Sequence, residues 1–211
     1  LRKETTPEEV RSKIPKGMMG ASHPRPTAMI KACGVAKFNA DVDLPPNAVE
    51  LAVVRSTQFH ALIKSVDTSA AEKMQGVVGF MKAADIRGTN RIRLTVPDQP
   101  VLCEDRVRTL GDPILAVVAE TRDQARAAAA AVKVEYEPLP VMMTPEESLA
   151  PGAYQIHPHA PNNILGSQPL IKGDTAKALK EAKTVVDAEF ATQTNHQAPL
   201  EPENCVVDIK G

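Results

Sequence analysis

The feature that most constrains the fold is a strand–helix–strand pattern over residues 114–137. Ile114–Glu120 is a run of apolar and β-branched residues, and Thr121–Gln124 (TRDQ) has the spacing of a capping box. An alanine-rich segment over 122–131 follows, and residues 132–137 (VKVEYE) then alternate with the period of a strand. This order predicts a βαβ unit, in which a right-handed crossover joins two parallel strands of a mixed sheet. The fold class is therefore α/β, in the broad sense that includes α+β.

Other segments carry weaker but regular signals. Strands are predicted at 49–56, 61–66, 77–81 and 107–110. A short helix is predicted at 69–74, after a cap at Thr68 or Asp67 and before Gly76, and another at 174–182. Two more helices are predicted to start at the Thr-Pro-Glu-Glu caps of Thr6 and Thr144. Val186, Ala188 and Phe190 fall on one face of a long strand predicted over 185–197, with 205–209 as its partner.

Composition limits the class of function. The 211 residues include four Phe, two Tyr and no Trp, so an aliphatic core is expected and aromatic platforms for base stacking are not. The net charge of −1 implies no nucleic-acid partner. Apolar runs such as Ile114–Ala119 are far shorter than the roughly 20 residues that cross a bilayer, so no membrane partner is expected. No apolar leader follows Leu1, and a cytoplasmic location is predicted, with the periplasm left open.

Four regions are predicted along the chain. Residues 1–31 are a polar connector, whose stretch around Gly17–Pro26 is expected to be an extended strap, with Met18 and Met19 filling a packing gap rather than facing a substrate. Residues 32–145 form the main domain, 146–183 a proline-rich linker with a helix, and 184–211 the first strands of another domain. Because the chain opens at Leu1 and closes directly after a strand-like run, we expect a segment of a larger protein, with an engineered piece or a processed subunit as alternatives.

A few polar residues invite a chemical interpretation. His157 and His159 flank Pro158, but an extended backbone would make the rings diverge, and no acidic or cysteine partner lies nearby in sequence, so surface or capping roles are expected rather than metal binding. His196 falls on the same face of its predicted strand as the apolar residues and is therefore expected to be partly buried. Glu201 is expected to accept backbone N–H bonds at a turn, with a buried acid–base carboxylate as the alternative.

The cysteines and glycines add no motif. Cys33, Cys103 and Cys205 match no zinc or iron–sulfur spacing and are expected to be buried, reduced thiols. The chain has no GxGxxG, GxxxxGK[ST] or GxSxG motif. The residues by themselves therefore describe an α/β segment without a self-sufficient active site.

Several long stretches resemble one known family, the molybdenum hydroxylases of the xanthine dehydrogenase and aldehyde oxidase superfamily. Residues 33–45 (CGVAKFNADVDLP) and 55–68 (RSTQFHALIKSVDT) are similar to the first half of its α/β hammerhead domain. Residues 102–121 (LCEDRVRTLGDPILAVVAET), 125–132 and 134–140 (VEYEPLP) are similar to the second half. Residues 156–162 (IHPHAPN) and 169–174 (PLIKGD) resemble the bacterial aldehyde oxidoreductases in particular, and 196–202 (HQAPLEP) resembles the start of their molybdenum-cofactor domain.

The resemblance implies an oxidoreductase that converts an aldehyde to a carboxylic acid with water as the oxygen donor. A molybdopterin cytosine dinucleotide would hold the molybdenum and pass electrons to two [2Fe–2S] clusters. The motifs that bind these groups are not in this chain, so no catalytic, cofactor-binding or metal-binding residue is assigned to it. The expected partners are the remaining domains or subunits of the parent enzyme, and the chain alone is expected to bind neither molybdenum nor iron and to oxidise no aldehyde.

Two alternatives stay open. The parent enzyme could act on a purine, nicotinate or carbon monoxide instead of an aldehyde. The chain could also be a separate scaffold or assembly protein that uses the hammerhead fold to bind a partner. An excised segment would expose more apolar surface than a free-standing protein does, which separates these interpretations.

Overall fold

A computed structural model of the chain describes residues 25–92, 96–199, 201 and 204–208. The chain forms two compact units, one of Pro46–Val185 and one that combines Leu1–Pro45 with Val186–Gly211. The sheets and most helices belong to the first unit. The described part of the second unit contains the short helix α1 (Ala28–Ala32), which was not predicted, and a 3-10 turn at Asn39–Asp41.

The unit Pro46–Val185 contains two three-stranded antiparallel sheets. One has the order β1-β5-β3 and the other β4-β2-β6. The strands are β1 (Glu50–Arg55), β2 (Ala61–Asp67), β3 (Val77–Met81), β4 (Arg106–Val107), β5 (Pro113–Ala119) and β6 (Lys133–Pro138). The predicted positions of β1, β2, β3, β5 and β6 are confirmed. Of the strand predicted at 107–110, only Val107 lies in a strand, β4.

Four helices of this unit begin at residues that the sequence marked. They are α2 (Ser69–Glu72), α3 (Arg122–Ala131), α4 (Pro145–Leu149) and α5 (Thr175–Glu181). Thr121 and Asp174 accept backbone N–H bonds at the starts of α3 and α5. Thr144 and Glu147 cap α4 reciprocally, which is the predicted capping box. At α3 the box is only half formed, because the Thr121 hydroxyl instead donates to the Gln124 side-chain oxygen.

The core lies where α3 and the two sheets meet. One cluster of buried side chains joins β1, α2, β5 and α3, and a second joins β2, β4 and β5. Val66 and Val134 pack against both clusters. Five of the seven β5 residues are buried, which fits a central strand covered on both faces. The expected aliphatic core is confirmed: the buried apolar residues are alanine, valine, leucine and isoleucine, with Cys103. Methionine, which was also expected there, contributes the partly buried Met74.

The predicted parallel crossover is wrong, although the α/β class is confirmed. Strand β5 is the centre of its sheet, where β1 and β3 already occupy both edges. Neither side of β5 is open to β6, which instead pairs antiparallel with β2 in the other sheet. Its alternation is as predicted: Val134 and Tyr136 are half-buried, while Glu135 and Glu137 are exposed.

Two further predictions fail in the second unit. Residues 184–199 form neither helix nor strand, and the apolar residues of the predicted face, Val186 and Phe190, are exposed. Residues 205–208 are not part of a strand either. A strand needs a neighbour to satisfy its backbone groups, and no described segment pairs with this one. The predicted helix at Thr6, the strap and the pair Met18–Met19 lie outside the described residues.

Within residues 25–92 and 96–199, none of the helices combines the length and the apolar character needed to cross a bilayer.

Candidate functional site

Three side chains that could act together converge in the unit Pro46–Val185. Nδ1 of His157 lies 3.5 Å from Oδ2 of Asp98, and Nε2 of His159 lies 3.2 Å from the same oxygen. The two imidazole rings are 5.3 Å apart between centroids. One potential ligand atom from each of the three residues lies within 4.8 Å of the others, and no other group of three or more His, Cys, Asp or Glu among the described residues does so.

A turn brings the two histidines together. The Ala160 N–H donates to the His157 carbonyl at 3.1 Å, so residues 157–160 form a tight turn with Pro158 at its second position. The sequence prediction assumed an extended backbone here, in which the rings would diverge. The turn instead places His157 and His159 on the same side, and buried Ala160 anchors its end.

Polar side chains hold this turn from both flanks. The Gln155 amide donates to the carbonyls of His157 and Pro158 at 3.0 and 3.1 Å. The Asn163 side chain accepts the Ile156 N–H at 2.9 Å and donates to the carbonyls of Ser148 and Tyr154. Asn163 itself has a φ of 58°, a left-handed conformation that asparagine tolerates better than most residues. The backbone that carries the histidines is therefore fixed by several side-chain bonds.

Asp98 comes from a distant part of the sequence. It precedes Gln99, which forms an antiparallel bridge with Ile92. Asp98 was missed at the sequence level because its contact with the histidines depends on folding of the whole unit. The only signal in the sequence is the pair of histidines on either side of a proline, for which surface or capping roles are expected.

The electrostatic surroundings of the cluster are mixed. The three side chains are between 26% and 42% exposed, so solvent reaches them. Desolvation is the main cause that lowers the pKa of His157, and the positive charge of Arg108 lowers it further. The Asp98 carboxylate raises this pKa only in part. The Arg108 Nε also donates to the Ile156 carbonyl at 3.4 Å. Chemically, the cluster offers one carboxylate and two imidazoles to a shared proton or cation.

A second polar cluster in the same unit surrounds the buried side chain of His60. His60 is 6% exposed, and its Nδ1 donates to the Pro140 carbonyl at 2.6 Å. Its ring meets that of Tyr154 edge-on at 5.1 Å, and the Arg106 guanidinium lies 6.0 Å from the same Tyr154 ring. Nε2 of His60 and Nε of Arg106 are buried without a hydrogen-bond partner among the described residues. This cluster links β2 and β4 to the segment after α4.

An apolar cavity of about 250 Å³ lies between the two sheets. Ile63 and Val66 of β2 line it opposite Ile114 and Leu115 of β5, with Cys103 beside them. Its volume is below the roughly 300–1,000 Å³ of most ligand pockets. Lys82 and Glu104 are its charged lining residues, and Glu104 is paired with Arg91 at 3.1 Å.

The other residues singled out in the sequence do not form a site among the described residues. His196 is exposed rather than partly buried, because the predicted strand around it is not formed, and its Nδ1 accepts the Ala198 N–H. Glu201 accepts the Asn39 N–H at 2.6 Å, in line with the predicted backbone-acceptor role. All three cysteines are free, but only Cys103 is buried, while Cys33 is half-buried and Cys205 exposed.

Comparison with known proteins indicates one family. The family model described as "Aldehyde oxidase and xanthine dehydrogenase, a/b hammerhead domain" matches residues 33–140, about half of the chain. A second model, "Molybdopterin cofactor-binding domain", matches residues 156–211. The aldehyde oxidoreductase of Megalodesulfovibrio gigas is 38% identical over 196 residues, which cover 87% of this chain and 22% of that protein.

Two further matches agree. The xanthine dehydrogenase/oxidase of Felis catus is 36% identical over 203 residues, covering 94% of this chain and 14% of that protein. The solved structure of the aldehyde oxidoreductase from Desulfovibrio gigas superimposes with a TM-score of 0.70 at 38% identity, covering 78% of this chain and 19% of that one. The chain thus spans less than a quarter of the length of each of these relatives. It belongs to the aldehyde oxidase and xanthine dehydrogenase family of molybdenum hydroxylases, and its main unit has the α/β hammerhead fold.

Proposed function

We propose that this chain is a structural, interdomain segment of a molybdenum-dependent aldehyde oxidoreductase and is not catalytic alone. The observation that carries the proposal is the match of one continuous chain to a hammerhead model and then to a cofactor-domain model. In the parent enzyme, an aldehyde would be oxidised to a carboxylic acid with water as the oxygen donor. The parent's other domains or subunits would be the partners of this chain, and the cytoplasm its location.

The domain boundaries are part of the proposal. Residues 1–31 would connect from an iron–sulfur region, and 32–145 would be the hammerhead, supported by the model match over 33–140. Residues 146–183 would be the proline-rich linker with α5, and 184–211 the beginning of the cofactor-binding domain, supported by the match over 156–211.

Exposed apolar side chains support an interdomain role. Leu170 and Ile171 are 97% and 81% exposed in the first unit. In the second unit, Val186 and Phe190 are 84% and 90% exposed. Apolar side chains that a folded segment leaves in water are typical of surfaces that another domain or subunit covers.

The family depends on molybdopterin, but the residues of this chain do not fit the redox groups by themselves. Its three cysteines are fewer than the four thiolates that a [2Fe–2S] cluster takes, and it has no glycine-rich phosphate motif. In the part of the cofactor-domain match that the structure describes, residues 184–199 form neither helix nor strand. We therefore assign molybdopterin, in its cytosine dinucleotide form, and the two [2Fe–2S] clusters to other parts of the parent enzyme.

An antibody against residues 33–140 tests this function in the source cells. The captured native polypeptide should be several times larger than 22.6 kDa on a denaturing gel and should oxidise aldehydes with an artificial electron acceptor. Growth on tungstate in place of molybdate should abolish that activity. Activity with purines, nicotinate or carbon monoxide but not with aldehydes would move the proposal to another substrate class. A captured polypeptide of 22.6 kDa without oxidase activity would favour a stand-alone scaffold.

A further inference from the structure

We propose that Asp98, His157 and His159 form a binding site for one divalent transition-metal ion of the Zn²⁺ type. The proposal departs from the sequence-based prediction, which assigned no metal ligand, and it is independent of the parent enzyme's redox groups. The ion would tie the turn at residues 157–160 to Asp98, next to the bridge between Ile92 and Gln99.

The donor atoms of the three side chains suit such an ion. Two imidazole nitrogens and one carboxylate oxygen are donors that Zn²⁺ and its neighbours Co²⁺ and Ni²⁺ prefer, and Ca²⁺ and Mg²⁺ prefer oxygen alone. Sites with three protein ligands keep one position for water. The partial exposure of all three side chains leaves a path for the ion and for that water.

The distances between the donor atoms also suit a tetrahedral ion of the Zn²⁺ type. Ligand bonds of about 2.0–2.1 Å in a tetrahedral site place the ligand atoms about 3.3 Å from each other. Oδ2 of Asp98 lies 3.2 Å from Nε2 of His159 and 3.5 Å from Nδ1 of His157. Both separations are close to that value, and all three ligand atoms lie within 4.8 Å of one another, so an ion can bind after an adjustment of the side chains.

Side-chain hydrogen bonds hold the backbone that carries the two histidines. The Gln155 amide bonds to two carbonyls of the turn, and Asn163 bonds to three backbone groups around it. A metal therefore does not have to order the loop, and rigid ligands favour affinity. Arg108 opposes a cation at His157, and the negative charge of the Asp98 carboxylate offsets this in part.

The test is a titration of the 211-residue chain with ZnCl₂ after treatment with a chelator. Because half-buried Cys33 and exposed Cys205 could bind zinc, the titration uses a Cys33→Ser/Cys205→Ser background. We expect one equivalent of Zn²⁺ to bind, and His159→Gln and Asp98→Asn to weaken its affinity at least about tenfold, since even outer-shell changes weaken metal binding by about 10- to 100-fold. His196→Gln, a histidine variant in the other unit, should bind Zn²⁺ with the same affinity as the Cys33→Ser/Cys205→Ser chain.

Two further readouts keep the test decisive if a variant folds poorly. Co²⁺ should give visible absorption bands when it binds the Cys33→Ser/Cys205→Ser chain, and these bands should be absent when Asp98→Asn is added. In the unaltered chain, Zn²⁺ should shift the ¹⁵N signals of His157 Nδ1 and His159 Nε2 and leave those of His196 in place. The proposal is overturned if no single-equivalent binding is found, or if the ion binds equally well in both ligand variants, or if the signals of His157 and His159 do not move.

Discussion

The buried thiol of Cys103 shows how strongly one position can depend on its surroundings. Burial is the main cause that raises the pKa of Cys103 to about 11 from an ordinary value of 9.0, and the nearby Asp112 carboxylate raises it further. The positive charge of Arg108 lowers this pKa only in part. The thiolate is the reactive form of cysteine. The thiol at this position is therefore protonated at neutral pH and shielded from reagents.

Iodoacetamide at pH 8 should modify Cys205 fully and Cys33 more slowly, while Cys103 stays unmodified until the chain is unfolded. Peptide mass spectrometry measures all three in one digest, and the denatured chain is the control. Because the folded pKa lies above the unfolded one, the thiol's contribution to stability is complete below pH 9 and is lost as the pH rises towards 11. Rapid labelling of Cys103 in the native chain would contradict this assignment.

Gly76 is a second position where one side chain decides local structure. Its φ is +80°, and a Cβ there would lie 2.3 Å from the Gln124 side chain at the start of α3. Gly76→Ala should destabilise the chain by about 1–3 kcal/mol, the usual range for a non-glycine residue held in a left-handed conformation. Thermal or urea unfolding measures the loss.

Two other glycines separate the causes. Gly111 has a φ of +86° with open space around it, so Gly111→Ala isolates the backbone effect. Gly88 has neither constraint, and Gly88→Ala should leave the unfolding midpoint nearly unchanged. If Gly76→Ala lowered the unfolding midpoint no more than Gly88→Ala does, neither the positive φ of Gly76 nor its contact with Gln124 would determine stability.

At the scale of elements, helix α3 was predictable because its signals are local. The Thr121 cap, the alanine run and the strand that follows are all read from adjacent residues, and the helix spans Arg122–Ala131 as predicted. The partner of β6 was not predictable, because it depends on the occupied edges of β5, which distant strands determine. Asp98 was missed for the same reason, since its approach to the histidines follows from the fold of the whole unit.

The packing of α3 gives a matched pair of variants. Ala128 is fully buried between the helix and the sheet β1-β5-β3, and neighbouring Ala127 is exposed. Ala128→Leu should destabilise the chain by about 1–3 kcal/mol through overpacking, whereas Ala127→Leu should change stability by no more than about 0.5 kcal/mol. Equal unfolding free energies for the two variants would mean that α3 does not pack on the sheet as described.

At the scale of the whole molecule, the chain combines a buried hammerhead core with apolar side chains, such as Leu170 and Phe190, that are exposed in the part of the chain that the structure describes. The resemblance to molybdenum hydroxylases was recognisable from long ordered stretches, such as residues 102–121, rather than from any active-site motif. The failed strand prediction at 185–197 has a physical cause: alternation alone cannot form a strand without a neighbour to pair with. That segment is where a neighbouring domain is expected to supply the missing contacts.

We infer that this chain supplies structure while other parts of the parent enzyme hold the redox centres. This claim is tested most directly by the molybdenum and iron content of the purified 211-residue chain, produced in cells that make the molybdenum cofactor and measured by elemental analysis. We expect neither metal above the level of a protein-free control, even when zinc is bound at Asp98, His157 and His159. Molybdenum or iron in stoichiometric amounts would contradict the claim.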